Sequence, residues 1–232
     1  MNFACSTVRA PWKKKDRKPN QDALKFRIDR NSFALCVADG FGSAVHSEIG
    51  SKAAAESVME SFKIWRRSKV LKTEDLIRMI HAVWSLRILP YSASDCNTTC
   101  VFAAAEGNRI YAGKIGDGLF LYNDNINKNI HILNSEKEFS NQTEGFASVQ
   151  KISDWDILEC DLSEDFSLML CTDGISDDLE NGKENDFMEH LIRELEALSG
   201  QKRTSYLKKE LKNWPVPFHS DDKTIALGWR RK

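Results

Sequence analysis

The chain has 232 residues, of which 41% are hydrophobic and 29% charged, and this composition predicts one globular domain spanning residues 1–232. The formal net charge of −1 excludes a molecule whose overall field attracts nucleic acid or an acidic membrane surface. No stretch reaches the roughly 18 consecutive apolar residues of a membrane span, and the six cysteines are scattered without a CxxC pair; we therefore expect reduced thiols in a cytoplasmic protein.

The first third of the chain predicts two short strands followed by two helices. The basic run at 13–15 is interpreted as solvated surface. Strands are expected at 26–28 and 33–38, and a helix over about 47–66. Thr73 is the expected N-cap of a second helix, because two acidic residues directly follow it and apolar residues then recur at helical spacing.

The rest of the chain predicts a series of strands and then two further helices. Strands are expected at 98–105, 109–115, 119–122, 130–133, 155–160, 166–171 and 224–229. The polar segment 134–149 is expected to be a mobile surface excursion. Helices are expected at about 185–198, stopped by Gly200, and near 205–212. Because strands cluster without regular strand–helix alternation, we expect an antiparallel α+β fold rather than a doubly wound parallel sheet.

Aspartates recur at the ends of the predicted strands, three of them beside glycines. The set comprises Asp22, Asp39, Asp117, Asp173 and the pair Asp221-Asp222. One Asp-Gly pair is usually only a turn, so the argument depends on the repetition. If the strands are neighbours, these carboxylates converge and repel one another unless a hard cation, Mg²⁺ or Mn²⁺, lies between them. EF-hand, HExxH, Walker lysine and GxSxG patterns are missing from the sequence.

The ordered motifs of the chain resemble those of one family. RKPNQDA, VADGFGS, NTTCV, GDG, CTDGISD and SDDKTIAL are similar to the motifs of the metal-dependent serine/threonine protein phosphatases, the protein phosphatase 2C family, in a short bacterial branch. The resemblance covers residues 17–227. It implies a four-layer α-β-β-α sandwich, with two central, mainly antiparallel sheets flanked by helices and two metal ions at one edge.

The resemblance also implies a set of metal ligands. Asp39 would bridge both ions, and Gly40 would offer its carbonyl oxygen to one of them. Asp173 and Asp222 would hold the other ion, and Asp22 would act through bound water. The implied ions are Mn²⁺ or Mg²⁺, two of them and a third at a weaker site.

Two further positions complete the implied machinery. Asp117 matches the position linked to the third ion, and Arg17, five residues before Asp22, matches the arginine that grips the substrate phosphate. Two cations close together lower the pKa of a bridging water, so that a hydroxide can attack phosphorus in line. The cations and the arginine offset charge on the phosphoryl oxygens.

Several positions depart from the family pattern. Phe41 stands where some members carry a histidine proposed to protonate the leaving group, and His46 is a weak substitute that we interpret as a residue near a helix start. Gln21 replaces a glutamate, Lys223 replaces an asparagine, and Gly118-Leu119 replaces Ser-Arg. These changes bear on rate and metal preference.

The function that this sequence predicts is hydrolysis of phosphoserine and phosphothreonine in proteins, by a monomer that opposes a serine/threonine kinase. Its partners would be phosphorylated proteins, including such a kinase or its substrates. Two alternatives stay open: a catalytically silent relative that serves as a binding or regulatory module, and another two-metal hydrolase such as a nuclease or a small-molecule phosphatase. The near-neutral charge disfavours the nuclease, because a groove that follows a nucleic-acid backbone is normally basic.

Overall fold

The structure is a computed structural model that describes residues 1–68, 70, 72–134, 145–149, 151–215 and 221–232. The first half contains β1 (Asn2–Val8), α1 (Pro11–Lys15), β2 (Asp22–Ile28), β3 (Ser32–Asp39), α2 (Ser47–Trp65), α3 (Thr73–Arg87), β4 (Cys100–Glu106) and β5 (Arg109–Ile115). The second half contains β6 (Leu119–Asp124), β7 (Asn129–Asn134), β8 (Asp156–Asp161), β9 (Phe166–Cys171), α4 (Asp173–Ser176), α5 (Glu184–Glu196), α6 (Gly200–Lys212) and β10 (Lys223–Arg230).

The strands form two sheets of five. One has the order β1-β10-β9-β6-β7 and the other β2-β3-β4-β5-β8, and all neighbouring strands in both are antiparallel. Helices flank the sheets, and the four-layer α+β sandwich is confirmed. No helix in the described ranges has the length and apolar character needed to cross a membrane.

Three apolar clusters hold the layers together. Phe33, Leu35 and Val37 of β3 point between the sheets, whereas the alternate residues of the same strand pack against α2 and α3. A separate cluster lies between the other sheet and α5 and α6. Successive side chains of a strand point to opposite faces of the sheet, and both faces of β3 are covered. The side chains of β3 are therefore divided between the two clusters.

The structure corrects several predicted elements. β1 was not predicted; it is an edge strand whose pairing with β10 joins residues more than 200 positions apart. α6 begins at Gly200, so this glycine opens a helix instead of stopping the preceding one. Thr73 is the first residue of α3, and its backbone N and Oγ1 donate to the Glu159 carboxylate at 2.8 and 2.7 Å. A carboxylate from β8 thus satisfies a helix end that local sequence was expected to cap.

Other predictions are confirmed or fall outside the described residues. All six cysteines are free thiols, five of them buried. Most of the predicted excursion at 134–149 lies outside the described residues. Phe146, in its last part, is buried against Trp84 and Trp155, with ring centroids 4.8 and 5.6 Å away.

Candidate active site

The predicted carboxylates meet at one edge of the sandwich. Asp22 opens β2 and Asp39 ends β3, and the two are partners in the antiparallel ladder. Asp173 comes just after the end of β9, and Asp221 and Asp222 come just before the start of β10. The end of β9 and the start of β10 are paired in the sheet. The fold therefore makes neighbours of these strand ends and brings carboxylates from both sheets together.

Two threonines of the NTTCV motif hold the backbone of Asp39. Its carbonyl oxygen accepts hydrogen bonds from Thr98 Oγ1 and Thr99 N, both at 2.8 Å, and its backbone N donates to Thr99 Oγ1 at 2.9 Å. The next residue, Gly40, lies so close to α2 that a Cβ would be 2.5 Å from the carbonyl oxygen of Ser47. A side chain at this position would clash with the helix, so glycine is required by close approach.

Two carboxylate oxygens at this edge are buried without a hydrogen-bond partner in the described part of the chain: Asp22 Oδ1 and Asp173 Oδ1. The other oxygen of Asp22, Oδ2, accepts a hydrogen bond from Thr172 Oγ1 at 2.9 Å. Buried polar atoms are nearly always paired, so two orphaned carboxylate oxygens in one cluster indicate that a ligand is needed there.

Burial and mutual repulsion raise the pKa values of three carboxyl groups. Loss of hydration raises the pKa of Asp22 to about 7. Loss of hydration and the charge of Asp221 together raise the pKa of Asp173 to about 6. The pKa of Asp39 lies well above its ordinary value because the group is buried and lies near the charges of Asp22 and Asp173. The cluster therefore lacks positive charge.

This donor set fits hard divalent cations in its chemistry. It offers carboxylate oxygens, and Gly40 adds a backbone carbonyl. Within the described ranges no group of three or more histidine, cysteine, aspartate or glutamate side chains is arranged to hold an ion. An ion bound here would thus take its remaining ligands from backbone and water, as Mg²⁺ commonly does.

Asp222 has a different environment from the other carboxylates. It is fully buried, Oδ1 accepts from Ala10 N at 2.7 Å, and Oδ2 accepts from Lys13 Nζ at 2.7 Å and Gln21 N at 2.8 Å. Both oxygens therefore already have protein partners. The structure shows Asp222 as an anchor that joins β10 to the segment before β2.

Lys13 corrects the interpretation of the basic run as solvated surface. Its side chain is only 5% exposed, and Nζ lies 3.2 Å from Asp221 Oδ1 as well as 2.7 Å from Asp222 Oδ2. Burial lowers the pKa of Lys13, but the hydrogen bonds and charges of the two aspartates outweigh it and raise that pKa above its ordinary value. Only its neighbours Lys14 and Lys15 are exposed.

A cleft of about 400 Å³ reaches the acidic edge at Asp39 and Asp221. Its acidic side includes Asp39 and Asp221, and its basic side includes Lys13 and Lys18, with Trp12 beside them. Lys18 Nζ lies 5.0 Å from the centroid of the Trp12 ring.

Three of these cleft residues have no assigned site role in the predictions from sequence: Lys13, Lys18 and Asp221, which was counted only among the recurring aspartates. Asp39 and Gly40, which also line the cleft, were implied as ligands by the family resemblance.

The remaining predicted residues lie around this cleft. Arg17 is exposed, has a left-handed φ of 56°, and is not among the described residues that line the cleft. Asp117 is half-buried between two glycines with positive φ, and its charge contributes to the raised pKa of Asp173. His46 packs against Tyr91, with ring centroids 4.1 Å apart, and does not line the described part of the cleft.

The raised pKa values predict that the metal-free protein loses stability as the pH rises from about 4 to about 7. In this range the folded state keeps protons on Asp22 and Asp173 that the unfolded state has released. The melting temperature in chelator should thus be lower at about pH 7.5 than at about pH 5. Asp173→Asn should reduce this difference; a melting temperature that rises steadily over the same range would contradict the prediction.

Solved structures of other proteins share this fold. The PstP catalytic domain, in complex with two manganese ions, is 14% identical, with a TM-score of 0.64 over 99% of this chain and 98% of that one. Stp1 from Staphylococcus aureus, a serine/threonine phosphatase, is 18% identical, with a TM-score of 0.67 over 100% and 95%. RsbX in complex with magnesium is 12% identical, with a TM-score of 0.62 over 98% and 94%.

The family is shown by the sequence itself. Residues 13–214 match the model of protein phosphatase 2C. The chain belongs to the protein phosphatase 2C family, and it is a serine/threonine protein phosphatase by class. A search of curated proteins finds no match.

Proposed function

We propose that the chain is a divalent-metal-dependent phosphatase that hydrolyses phosphoserine and phosphothreonine in proteins. The observation that carries the proposal is the pair of buried, unpartnered oxygens on Asp22 and Asp173, beside Asp39 at the floor of a cleft. Clustered carboxylates with raised pKa values are a costly arrangement that a bound cation relieves.

The residues that would hold the cations are Asp39, Asp173 and the Gly40 carbonyl, with Asp22 acting through water. For the remaining carboxylate we propose Asp221 instead of Asp222, because Asp221 lines the cleft whereas both oxygens of Asp222 are occupied. When bound, the cations would supply Lewis-acid chemistry that activates water and offsets phosphoryl charge. Mn²⁺ or Mg²⁺ is supported by the ions in the PstP and RsbX structures.

The basic side of the cleft would bind the substrate phosphoryl group. Lys18 lines the cleft and directly follows Arg17, to which the family resemblance assigns the binding of the substrate phosphate. We propose that Lys18 orients the phosphoryl oxygens, and that Arg17 reaches them only by a change in its exposed loop. Lys13 is held by Asp222 and adds fixed positive charge beside Asp221.

A catalytically silent binding module is the alternative that one observation favours. Lys13 already places a cation against Asp221 and Asp222, so part of the acidic edge is neutralised by the protein itself. The orphaned oxygens of Asp22 and Asp173 favour the enzyme, since Lys13 does not partner them.

The first test is hydrolysis of a phosphothreonine peptide and of p-nitrophenyl phosphate with Mn²⁺, Mg²⁺ or chelator. We expect turnover that requires metal. Calorimetric titration with Mn²⁺ should show about tenfold weaker binding for Asp221→Asn, because a ligand is lost. Asp222→Asn should chiefly lower stability, because a buried charge pair is broken. Folded protein that neither turns over nor binds metal would favour the silent module, and weaker metal binding by Asp222→Asn alone would restore Asp222 as the ligand.

The remaining expectations are also proposals. We propose a single domain over residues 1–232 that acts as a cytoplasmic monomer. Its partners would be phosphorylated proteins, including a serine/threonine kinase or the substrates of that kinase.

A further inference from the structure

A second cleft adjoins the candidate active site, and four of its nine described lining residues are cationic. It encloses about 230 Å³ between the end of β1, the start of α1, the C-terminal end of α6 and the start of β10. Its cationic side chains are Arg9, Lys14, Lys212 and Lys223, and we call this the basic cleft. Asp221 lines both clefts, so the two sites share one wall.

The cations of the basic cleft are not held in ion pairs within the described ranges. In the part of the chain that the structure describes, none of the four forms a salt bridge. Arg9 Nη1 donates to the carbonyl oxygen of Lys18 at 2.9 Å, and Lys223 Nζ donates to that of Asp221 at 3.3 Å. The carboxylate of Asp221 instead pairs with Lys13 at 3.2 Å. The acidic residue of this cleft thus pairs with a cation that does not line the cleft.

Lys223 is the buried cation of the basic cleft. It is only 5% exposed, and its ammonium has a neutral carbonyl partner and lies 5.9 Å from the Trp214 ring centroid. Burial lowers the pKa of Lys223, and the negative charges of Asp178, Asp221, Asp22 and Asp222 partly oppose this shift. Arginine and lysine side chains that face one concave site are suited to carboxylate or phosphate.

We propose that the basic cleft binds an acidic or phosphorylated side chain of the same substrate protein whose phosphoryl group occupies the active-site cleft. The inference rests on the proposed function and adds a substrate class: phosphoproteins with negative charge near the phosphorylated residue. The position of Asp221 supports this proposal, because Asp221 lines both clefts. A peptide whose phosphorylated residue lies at Asp39 would therefore extend beside the basic cleft. The net charge of the chain is −1, so this cluster of cations is a local feature.

The test compares phosphothreonine peptides of equal length whose flanking residues are neutral, glutamate-rich or carry a second phosphoserine. The charged residues are placed on the N-terminal side, the C-terminal side or both. We expect the wild-type protein to show a KM about tenfold lower for charged peptides on the favoured side, at similar kcat. The two kinds of charged flank separate a carboxylate site from a phosphate site.

The variant is the double substitution Lys14→Ala/Lys212→Ala, in two exposed residues that lie outside the proposed catalytic machinery. It should raise the KM of charged peptides to that of neutral ones and leave p-nitrophenyl phosphate kinetics unchanged. The matched control is Lys15→Ala/Lys208→Ala, which removes the same charge from exposed positions of α1 and α6 that do not line the cleft. The control should retain the preference.

Equal KM values for neutral and charged peptides in the wild-type protein would overturn the inference, as would a preference that survives in the double variant. Failure of the proposed function can be distinguished from failure of this inference by a binding assay. If no peptide is hydrolysed, fluorescence anisotropy with labelled peptides carrying a non-hydrolysable phosphonate measures the preference directly. Tighter binding of charged peptides that Lys14→Ala/Lys212→Ala abolishes would then support the basic cleft, and equal binding would reject it.

Discussion

Asp39→Asn is expected to lower turnover of a phosphothreonine peptide by about 10³-fold or more, because loss of cation binding removes several kcal/mol of charge stabilisation. The same substitution should stabilise the metal-free protein. Asp39 is a buried carboxylate near the charges of Asp22 and Asp173, and its removal relieves their repulsion. A higher melting temperature in chelator together with lost turnover would show that Asp39→Asn impairs catalysis without unfolding the protein.

The matched control for this substitution is Asp75→Asn on the outer surface of α3. The Asp75 side chain is 52% exposed and pairs with Arg78, so its loss should change neither turnover nor melting temperature appreciably. Turnover by Asp39→Asn within about tenfold of the wild-type rate would reject Asp39 as the central ligand.

Lys13→Met is expected to lower the free energy of unfolding by about 3–5 kcal/mol, because it leaves Asp222 as a buried charge without its cation. The hydrogen bonds from Ala10 N and Gln21 N remain, but they are neutral donors. Lys13 and Asp222 join α1 to the start of β10 across 209 residues of sequence. The measurement is unfolding in urea without metal, compared with Lys14→Met on the exposed face of the same short helix.

A double variant separates the ion pair from simple loss of packing. Lys13→Met/Asp222→Asn should recover part of the loss, because the uncompensated charge is gone, and the double-mutant cycle should give a favourable coupling energy. A loss below about 1 kcal/mol for Lys13→Met would contradict the buried pair, since exposed pairs contribute no more than that.

The parts of the site that sequence could predict are those determined by short segments. An apolar run followed by Asp-Gly predicted that Asp39 and Asp173 lie at strand ends, and both do. Gly40 was predicted from the same pattern, and its close contact with α2 explains why no side chain fits there. Each of these features depends on neighbours within a few residues.

The parts that sequence could not predict depend on distant partners. Nothing near Lys13 indicates burial, because its partner Asp222 is at the other end of the chain. Asp221 and Asp222 are adjacent and alike in composition, and only the start of β10 decides which faces the cleft and which faces Lys13. β1 was missed for the same reason, since its pairing is entirely with β10.

By itself, the sequence determined the antiparallel α+β sandwich, the family and the convergence of carboxylates at one edge. The antiparallel α+β class and the aspartates at strand ends follow from apolar runs and from the clustering of strands, which are local properties of the chain. The family, the four-layer sandwich and the shared metal site were implied by the resemblance of the ordered motifs. Only the tertiary structure decided that Lys13 is buried and neutralises Asp222, that Asp221 and Lys18 line the cleft while Arg17 does not, and that a basic cleft lies beside it. Burial and charge pairing determine the roles of these residues. Both depend on which distant segments of the chain pack against one another and exclude water.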